Sequence, residues 1–105
     1  MATVHLDGPF IFDIFTTPLA PNGGTAYYWI DGSYYAPPPQ YAECTLTVTA
    51  HGLSGLADGP QLIEVVQTAT RAGPGMGEHF LDFGVRNNGP NECTYIKVFV
   101  SIVTP

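Results

Sequence analysis

The chain has 105 residues, of which 45% are hydrophobic, and its nine acidic residues outnumber three basic ones to give a net charge of −6. This length suits one domain, so we predict a single β-rich domain over residues 1–105. Binding to nucleic-acid phosphates or to an anionic membrane surface requires clustered lysine and arginine, so the composition argues against both partners.

Turn-forming residues recur at short intervals and separate runs rich in Val, Ile, Thr, Phe and Tyr. No window shows the 3.6-residue period of a helix. The predicted strands, in chain order, are 2–6, 9–15, 25–30, 33–36, 43–50, 61–70, 78–86 and 93–103. Turn signals between them include Asp7-Gly8-Pro9, Asn22-Gly23-Gly24 and Asn88-Gly89-Pro90.

Apolar and polar residues alternate inside several of these strands. In 93–103 the even positions from Thr94 to Ile102 are mostly apolar, and in 43–50 the even positions from Cys44 to Ala50 are apolar. This pattern is typical of a sheet with one face in the core and one in water. We therefore predict an all-β, antiparallel β-sandwich, Ig-like or jelly-roll-like, of about seven to eight strands, with a small β-barrel as the alternative.

One segment concentrates the aromatic residues. Residues 27–41 contain five of the six tyrosines and the only tryptophan. Within this segment, Asp31-Gly32 is a strong signal for a two-residue β-hairpin, because a type I′ turn needs positive φ at both central residues. The prolines at 37–39 cannot donate to a ladder, so they indicate that the hairpin lies at a sheet edge.

The predicted hairpin places large rings on both of its faces. Residues paired across the two strands share a face, so Trp29 lies with Tyr34, and Tyr27 lies on the same side. With Ile30 in the core, these three rings form an exposed patch; the alternative is that the proline-rich loop covers them in a local core. The predicted ligand-binding residues are Tyr27, Trp29, Tyr34, Asp31 and Ser33.

The two cysteines, Cys44 and Cys93, share the local sequence Glu-Cys-Thr and each opens a predicted strand. A bridge between them would stabilise the fold by roughly 4 kcal/mol in the chain-entropy model. Alternation directs Cys44 inward and Cys93 outward, which argues against a bridge, but alternation is unreliable at the start of a strand. The residues leave both a Cys44–Cys93 disulfide and two separate thiols open.

No set of residues predicts a metal or catalytic site. His5 and Asp7 share a strand face without a third ligand nearby, and His79 lies on an apolar row and is predicted in the core. We expect no metal and no cofactor, with calcium bound by Asp7, Asp31 or Asp58 as the alternative. No nucleophile-elbow motif accompanies the serines and histidines, so we expect the protein not to be an enzyme.

These features favour a non-catalytic, lectin-like recognition module that contacts a carbohydrate or protein surface through the aromatic hairpin. The alternative is a structural subunit of a homo-oligomeric assembly, such as a virion, appendage or coat, with the same hairpin as subunit interface. A protease inhibitor presenting 36–41 or 70–77 is a third interpretation, which no residue selects.

The composition also bears on where the protein acts. Low lysine with abundant Gly, Pro, Thr and Tyr favours a secreted or particle-associated location over a cytoplasmic one. The first ten residues lack a basic region followed by an apolar stretch, so no signal peptide is predicted. The most apolar run, 96–103, is interrupted by Lys97 and Ser101 and is too short to cross a bilayer, so no membrane insertion is expected.

Overall fold

The computed structural model describes residues 3–31, 45–52, 61–72 and 79–104. These residues form six β-strands and no helix, so the all-β prediction is confirmed over the described part of the chain. No helix long and apolar enough to cross a membrane occurs in these ranges. The strands are β1 (Thr3–Asp13), β2 (Gly24–Asp31), β3 (Thr45–Gly52), β4 (Ile63–Ala72), β5 (His79–Asn87) and β6 (Tyr95–Thr104).

The six strands form two antiparallel three-stranded sheets. The first has the order β1-β6-β3, and the second has the order β2-β5-β4. The inner faces share one core, in which Phe12 of β1 contacts Tyr28 of β2 and Phe83 of β5 at ring-centroid distances of 5.4 and 5.9 Å. This arrangement is consistent with a small β-sandwich.

The central strands β5 and β6 supply the middle of the core. Alternate residues are buried from Leu81 onward in β5 and from Ile96 onward in β6: Leu81, Phe83 and Val85, and Ile96, Val98, Val100 and Ile102. Side chains of a strand alternate between its faces, so these rows follow from position alone. Burial of each such side chain stabilises the fold by about 1.5–3 kcal/mol. The inward rows predicted for 43–50 and 93–103 are confirmed from Leu46 and Thr94 onward.

β1 replaces two predicted strands. The described residues of the predicted strands 2–6 and 9–15 form one continuous strand as far as Asp13, and Ile14 and Phe15 lie beyond its end. The predicted turn between these two predicted strands is a register shift between Asp7 and Phe10. The turn prediction was wrong because a β-bulge also uses a glycine with positive φ. One extra residue in β1 opposes β6 at this point. Odd positions therefore face the core before the bulge, and even positions face it afterwards.

Gly8 makes this bulge sterically feasible. Its φ is +118°, a conformation that side chains with a Cβ rarely adopt. A Cβ at position 8 would also lie 2.8 Å from the carbonyl oxygen of Val98 and 3.2 Å from Cδ1 of Phe99. Glycine is therefore required here both by the backbone conformation and by the close approach of β6.

β4 carries a second bulge, between Val65 and Gln67. Val65 pairs with the buried Val85 on the inner face, whereas Gln67 pairs with Gly84 on the outer face. Odd positions of β4 thus face outward after the bulge although they faced inward before it. Strict alternation along β4 would instead have directed Arg71 into the core.

Cys93 is buried, which corrects the prediction that it faces outward. Its backbone N–H and carbonyl bond to Leu19 at 3.0 and 2.9 Å, and its Sγ lies 3.1 Å from the carbonyl oxygen of Tyr95. β6 begins only at Tyr95, so its alternation does not extend back to this cysteine. Cys44 lies outside the described residues, and the disulfide stays a prediction.

Candidate functional site

β2 directs its large side chains alternately to the two sides of the second sheet. Ile30 is buried and Tyr28 packs against the core, whereas Tyr27 is 68% exposed and Trp29 is 58% exposed. The prediction that Ile30 faces the core while Tyr27 and Trp29 face outward is confirmed. Exposed rings grouped on one surface are typical of a contact site. The outer surface of this sheet is therefore the candidate site.

Part of the predicted patch lies outside the described residues. Ser33, Tyr34 and the whole predicted strand 33–36 lie outside the described residues, so the Asp31-Gly32 hairpin stays a prediction. Asp31 itself is the last residue of β2, one position beyond the predicted strand end, and pairs with Phe80 of β5. Within the described residues, β2 lies at one edge of its sheet and pairs with β5 along its full length.

β5 supplies neighbours that the sequence reasoning missed. Trp29 is the register partner of Asp82, and the Trp29 and Phe80 rings meet edge to face with centroids 5.5 Å apart and an interplanar angle of 81°. Aromatic pairs prefer this geometry. The surface formed by these side chains is called the aromatic face below; its members are Tyr27, Trp29, Phe80, Asp82 and Arg71.

Arg71 of β4 is fixed in place by two neighbours on the aromatic face. Its Nε donates to Oδ2 of Asp82 at 3.0 Å, and its Nη2 donates to Oδ1 at 3.2 Å. Its Cζ lies 4.5 Å from the centroid of the Phe80 ring, within cation–π range. Hydrogen bonding to Asp82 raises the pKa of Arg71. The side chains are 49% and 40% exposed, so this pair fixes geometry more than it adds stability.

Gly84 determines where the Tyr27 ring lies. Gly84 is buried in β5 and is the register partner of Tyr27. A Cβ at position 84 would lie 2.8 Å from Cε1 and 3.1 Å from Cδ1 of Tyr27, and 3.1 Å from Cγ2 of Val66. The edge of the Tyr27 ring therefore occupies the space above β5 that a side chain would fill, while most of the ring stays exposed.

Of the three neighbours not predicted from the sequence, Phe80 and Asp82 could have been identified there, whereas Arg71 could not. Phe80 and Asp82 alternate with Leu81 and Phe83, so the predicted inward row of 78–86 already implied that they point outward. Arg71 left no such signal, because its orientation depends on the bulge in β4. No local pattern marks that bulge.

The outer face of the first sheet is apolar in a different way. Val4 and Leu6 are each 67% exposed, and Ile11 is 54% exposed. The surface formed by Val4, Leu6 and Ile11 is called the aliphatic face below. Nearby on β6, the Lys97 Nζ lies 5.8 Å from the centroid of the Phe99 ring. The sequence reasoning assigned no role to this surface.

A cleft of about 330 Å³ is lined by Leu46, Thr68, Ala69, Thr70 and Leu81. None of these described lining residues has an ionisable side chain. The expectation that the protein is not an enzyme stays a prediction.

The predicted metal ligands do not converge in the described ranges. No group of three His, Cys, Asp or Glu side chains there could hold a metal ion. His5 is exposed and Asp7 is partly buried, while Asp58 lies outside the described residues. His79, predicted to be in the core, is only partly buried at the start of β5.

Comparison with known proteins adds no relative. No protein-family model matches the chain, and no curated protein and no solved structure matches it either. Function therefore has to be inferred from the aromatic face itself.

Proposed function

We propose that this protein is a non-catalytic recognition module that binds a carbohydrate or protein partner through the aromatic face. The observation that carries the proposal is the exposure of Tyr27 and Trp29 together on one side of the second sheet. Burial of roughly 200 Å² of their ring surface is worth about 5 kcal/mol before the costs of association are subtracted. Contact with a partner is the simplest way to realise that gain.

The side chains around the rings support the same role. Trp, Tyr and Arg are the residue types most enriched at binding hot spots, and Trp29, Tyr27 and Arg71 lie on one face. Arg71 is held by Asp82 and by Phe80 in the unbound chain. Because its position is set in advance, binding costs less conformational entropy.

A paired-variant binding experiment tests the proposal. Wild type, Tyr27→Ala/Trp29→Ala and Val4→Thr/Leu6→Thr are applied to a printed glycan array and to a displayed peptide library. We expect wild type to bind at least one ligand. The aromatic-face variant should bind that ligand at least tenfold more weakly, and the aliphatic-face control should bind it as wild type does. The proposal would be contradicted if wild type binds no ligand, or if the aromatic-face variant binds the same ligands as strongly as wild type does. Circular dichroism checks that each variant is folded.

A second candidate function is a structural subunit of a homo-oligomeric assembly. The exposed Val4, Leu6 and Ile11 favour it, because they place a second apolar surface on the sheet opposite the aromatic face. Two different apolar surfaces on one subunit suit head-to-tail contacts between copies. The aromatic face would then dock on the next subunit.

Sedimentation equilibrium over a hundredfold concentration range tests this second candidate. If copies assemble, the wild-type mass rises with concentration, and both Trp29→Ala and Leu6→Asp reduce the rise. A monomeric mass at every concentration contradicts the structural role and leaves the recognition role in place.

The proposal also includes two finer predictions. An Ig-like or jelly-roll-like arrangement is supported by two separate antiparallel sheets around one core. A secreted or particle-associated location is supported only by the composition, with its low lysine content.

A further inference from the structure

The described outer side of the second sheet, which includes the aromatic face, is nearly neutral although the chain is strongly acidic. Two of the three basic residues lie on the outer side of the second sheet, each beside a carboxylate: Arg71 is 3.0 Å from Asp82, and Arg86 is 3.6 Å from Glu64. Among the described residues on this side, and with Asp31 at the corner, two arginines stand against three carboxylates, a balance of −1 compared with −6 for the whole chain. A highly charged partner gains little from such a surface, so an uncharged one suits it better.

The described outer surface is also small. Six residue steps separate Thr25 from Asp31, which gives a length of about 20 Å, and two strand spacings give a width of about 10 Å. A ligand a few sugar rings long fits within these dimensions.

Fixed polar groups lie directly beside the exposed rings. Asp82 is the register partner of Trp29, and its carboxylate accepts two hydrogen bonds from Arg71. A guanidinium has five N–H donors and a carboxylate has about four acceptor positions, so the pair keeps capacity for further hydrogen bonds. A sugar ring offers an apolar C–H surface surrounded by hydroxyls, which matches a ring bordered by a donor–acceptor pair.

We infer that the aromatic face binds a neutral saccharide. Trp29 and Tyr27 contact the C–H surfaces of the sugar rings, and the Arg71–Asp82 pair exchanges hydrogen bonds with their hydroxyls. Gly84 lets Tyr27 lean across β5 and bring its ring close to the sheet. This inference rests on the proposed function and narrows its partner to one chemical class; a folded protein and a second copy of the chain are the competing occupants.

The emission of Trp29 gives a direct measurement, because it is the only tryptophan. The protein is titrated at fixed concentration with neutral cello-, xylo-, manno-, malto- and N-acetylated chito-oligosaccharides, and with heparin as a polyanionic control. We expect a saturable change with at least one neutral series and none with heparin. A response to heparin alone would overturn the assignment to a neutral ligand.

Substitutions at two cations provide the matched comparison. Arg71→Lys keeps the charge over Phe80 but loses the bidentate contact with Asp82, so it should weaken saccharide binding at least tenfold. Lys97→Met, near Phe99 on the opposite sheet, should leave the affinity within twofold. Thermal unfolding checks that both variants fold as wild type does.

The outcomes separate this inference from the proposed function. If no neutral saccharide changes Trp29 emission but array or library ligands still require Tyr27 and Trp29, the saccharide class is wrong and recognition stands. If Lys97→Met weakens binding as much as Arg71→Lys, the aromatic face is not the site and both fail. An emission shift that follows protein concentration alone identifies a second copy as the occupant and overturns the inference.

Discussion

The two outer faces of the sandwich expose large apolar side chains in different surroundings. On the aromatic face, Trp29 meets Phe80 edge to face and lies beside a carboxylate bound by arginine. On the aliphatic face, Leu6 has Ser101 and Thr47 as its neighbours across the sheet. The aromatic face holds its arginine by hydrogen bonds to a carboxylate, whereas the aliphatic face is bordered by hydroxyls, by Lys97 and by the Phe99 ring.

The two faces share one feature that sharpens the contrast. Each places a cation near a phenylalanine, with Arg71 Cζ 4.5 Å from the Phe80 centroid and Lys97 Nζ 5.8 Å from the Phe99 centroid. Arg71 also makes two hydrogen bonds to Asp82. An apolar surface alone selects a partner weakly, whereas rings beside an oriented donor–acceptor pair discriminate between ligands by their hydrogen-bonding groups.

The largest expected effect on the free energy of unfolding comes from a core substitution, and substitutions on either outer face should have smaller effects. Phe83→Ala removes a side chain that is 1% exposed and should lower the free energy of unfolding by about 3–5 kcal/mol. Trp29→Ala and Leu6→Ala, one on each outer face, should lower it by about 1 kcal/mol or less. Urea titrations measure all three. A loss for Trp29→Ala as large as that for Phe83→Ala would show that the ring is covered, and the comparison of two exposed faces would fail.

An intermediate effect distinguishes the glycines of the two sheets. Gly84→Ala should destabilise by about 1–3 kcal/mol, and Tyr27→Ala in the same chain should recover most of the loss, because the ring occupies the needed space. Gly8→Ala should not be recovered by Phe99→Ala, since Gly8 has φ +118° and its Cβ would meet the Val98 carbonyl. Two double-mutant cycles measure the coupling. Equal recovery of the lost stability in both cycles would contradict the different steric reasons given for Gly84 and Gly8.

The smallest expected effect concerns the two sides of β2. Burial, and secondarily electrostatic interaction with Cys93, raise the pKa of Tyr28 above its ordinary value of 10.0. The folded state disfavours the phenolate, so this contribution to stability is complete below pH about 10 and is lost as the pH rises through the raised pKa. Tyr28→Phe should abolish the loss, while Tyr27→Phe, on the exposed side, should retain it. Free energies of unfolding of the wild type and of both variants, measured between about pH 8 and about pH 11, test this prediction.

Alternation along single strands was predictable from the sequence. A period of two residues determines that Ile30 is buried while Tyr27 and Trp29 are not, and it also explains the buried rows of β5 and β6. Cys93 shows where this reasoning ends, because it lies two residues before the strand whose period was extrapolated. The period describes a face correctly only where the strand continues without a bulge.

The partners of the exposed rings were not predictable in the same way. Trp29 lies beside Asp82 because β2 pairs with β5, and sequence patterns do not determine the order of strands in a sheet. Arg71 joins them only because β4 gains one unpaired residue after Val65. Ser33 and Tyr34, the other predicted members of the site, lie outside the described residues and remain predictions.

The bulge in β4 has an evolutionary consequence. One extra amino acid is absorbed locally at Val66, because Val65 and Gln67 pair with the successive residues Val85 and Gly84 of β5. Loss of the codon for residue 66 would therefore close the bulge while Arg71 stays opposite Phe80 on the outer face. Homologous chains of either length at this point would present the same guanidinium beside Trp29.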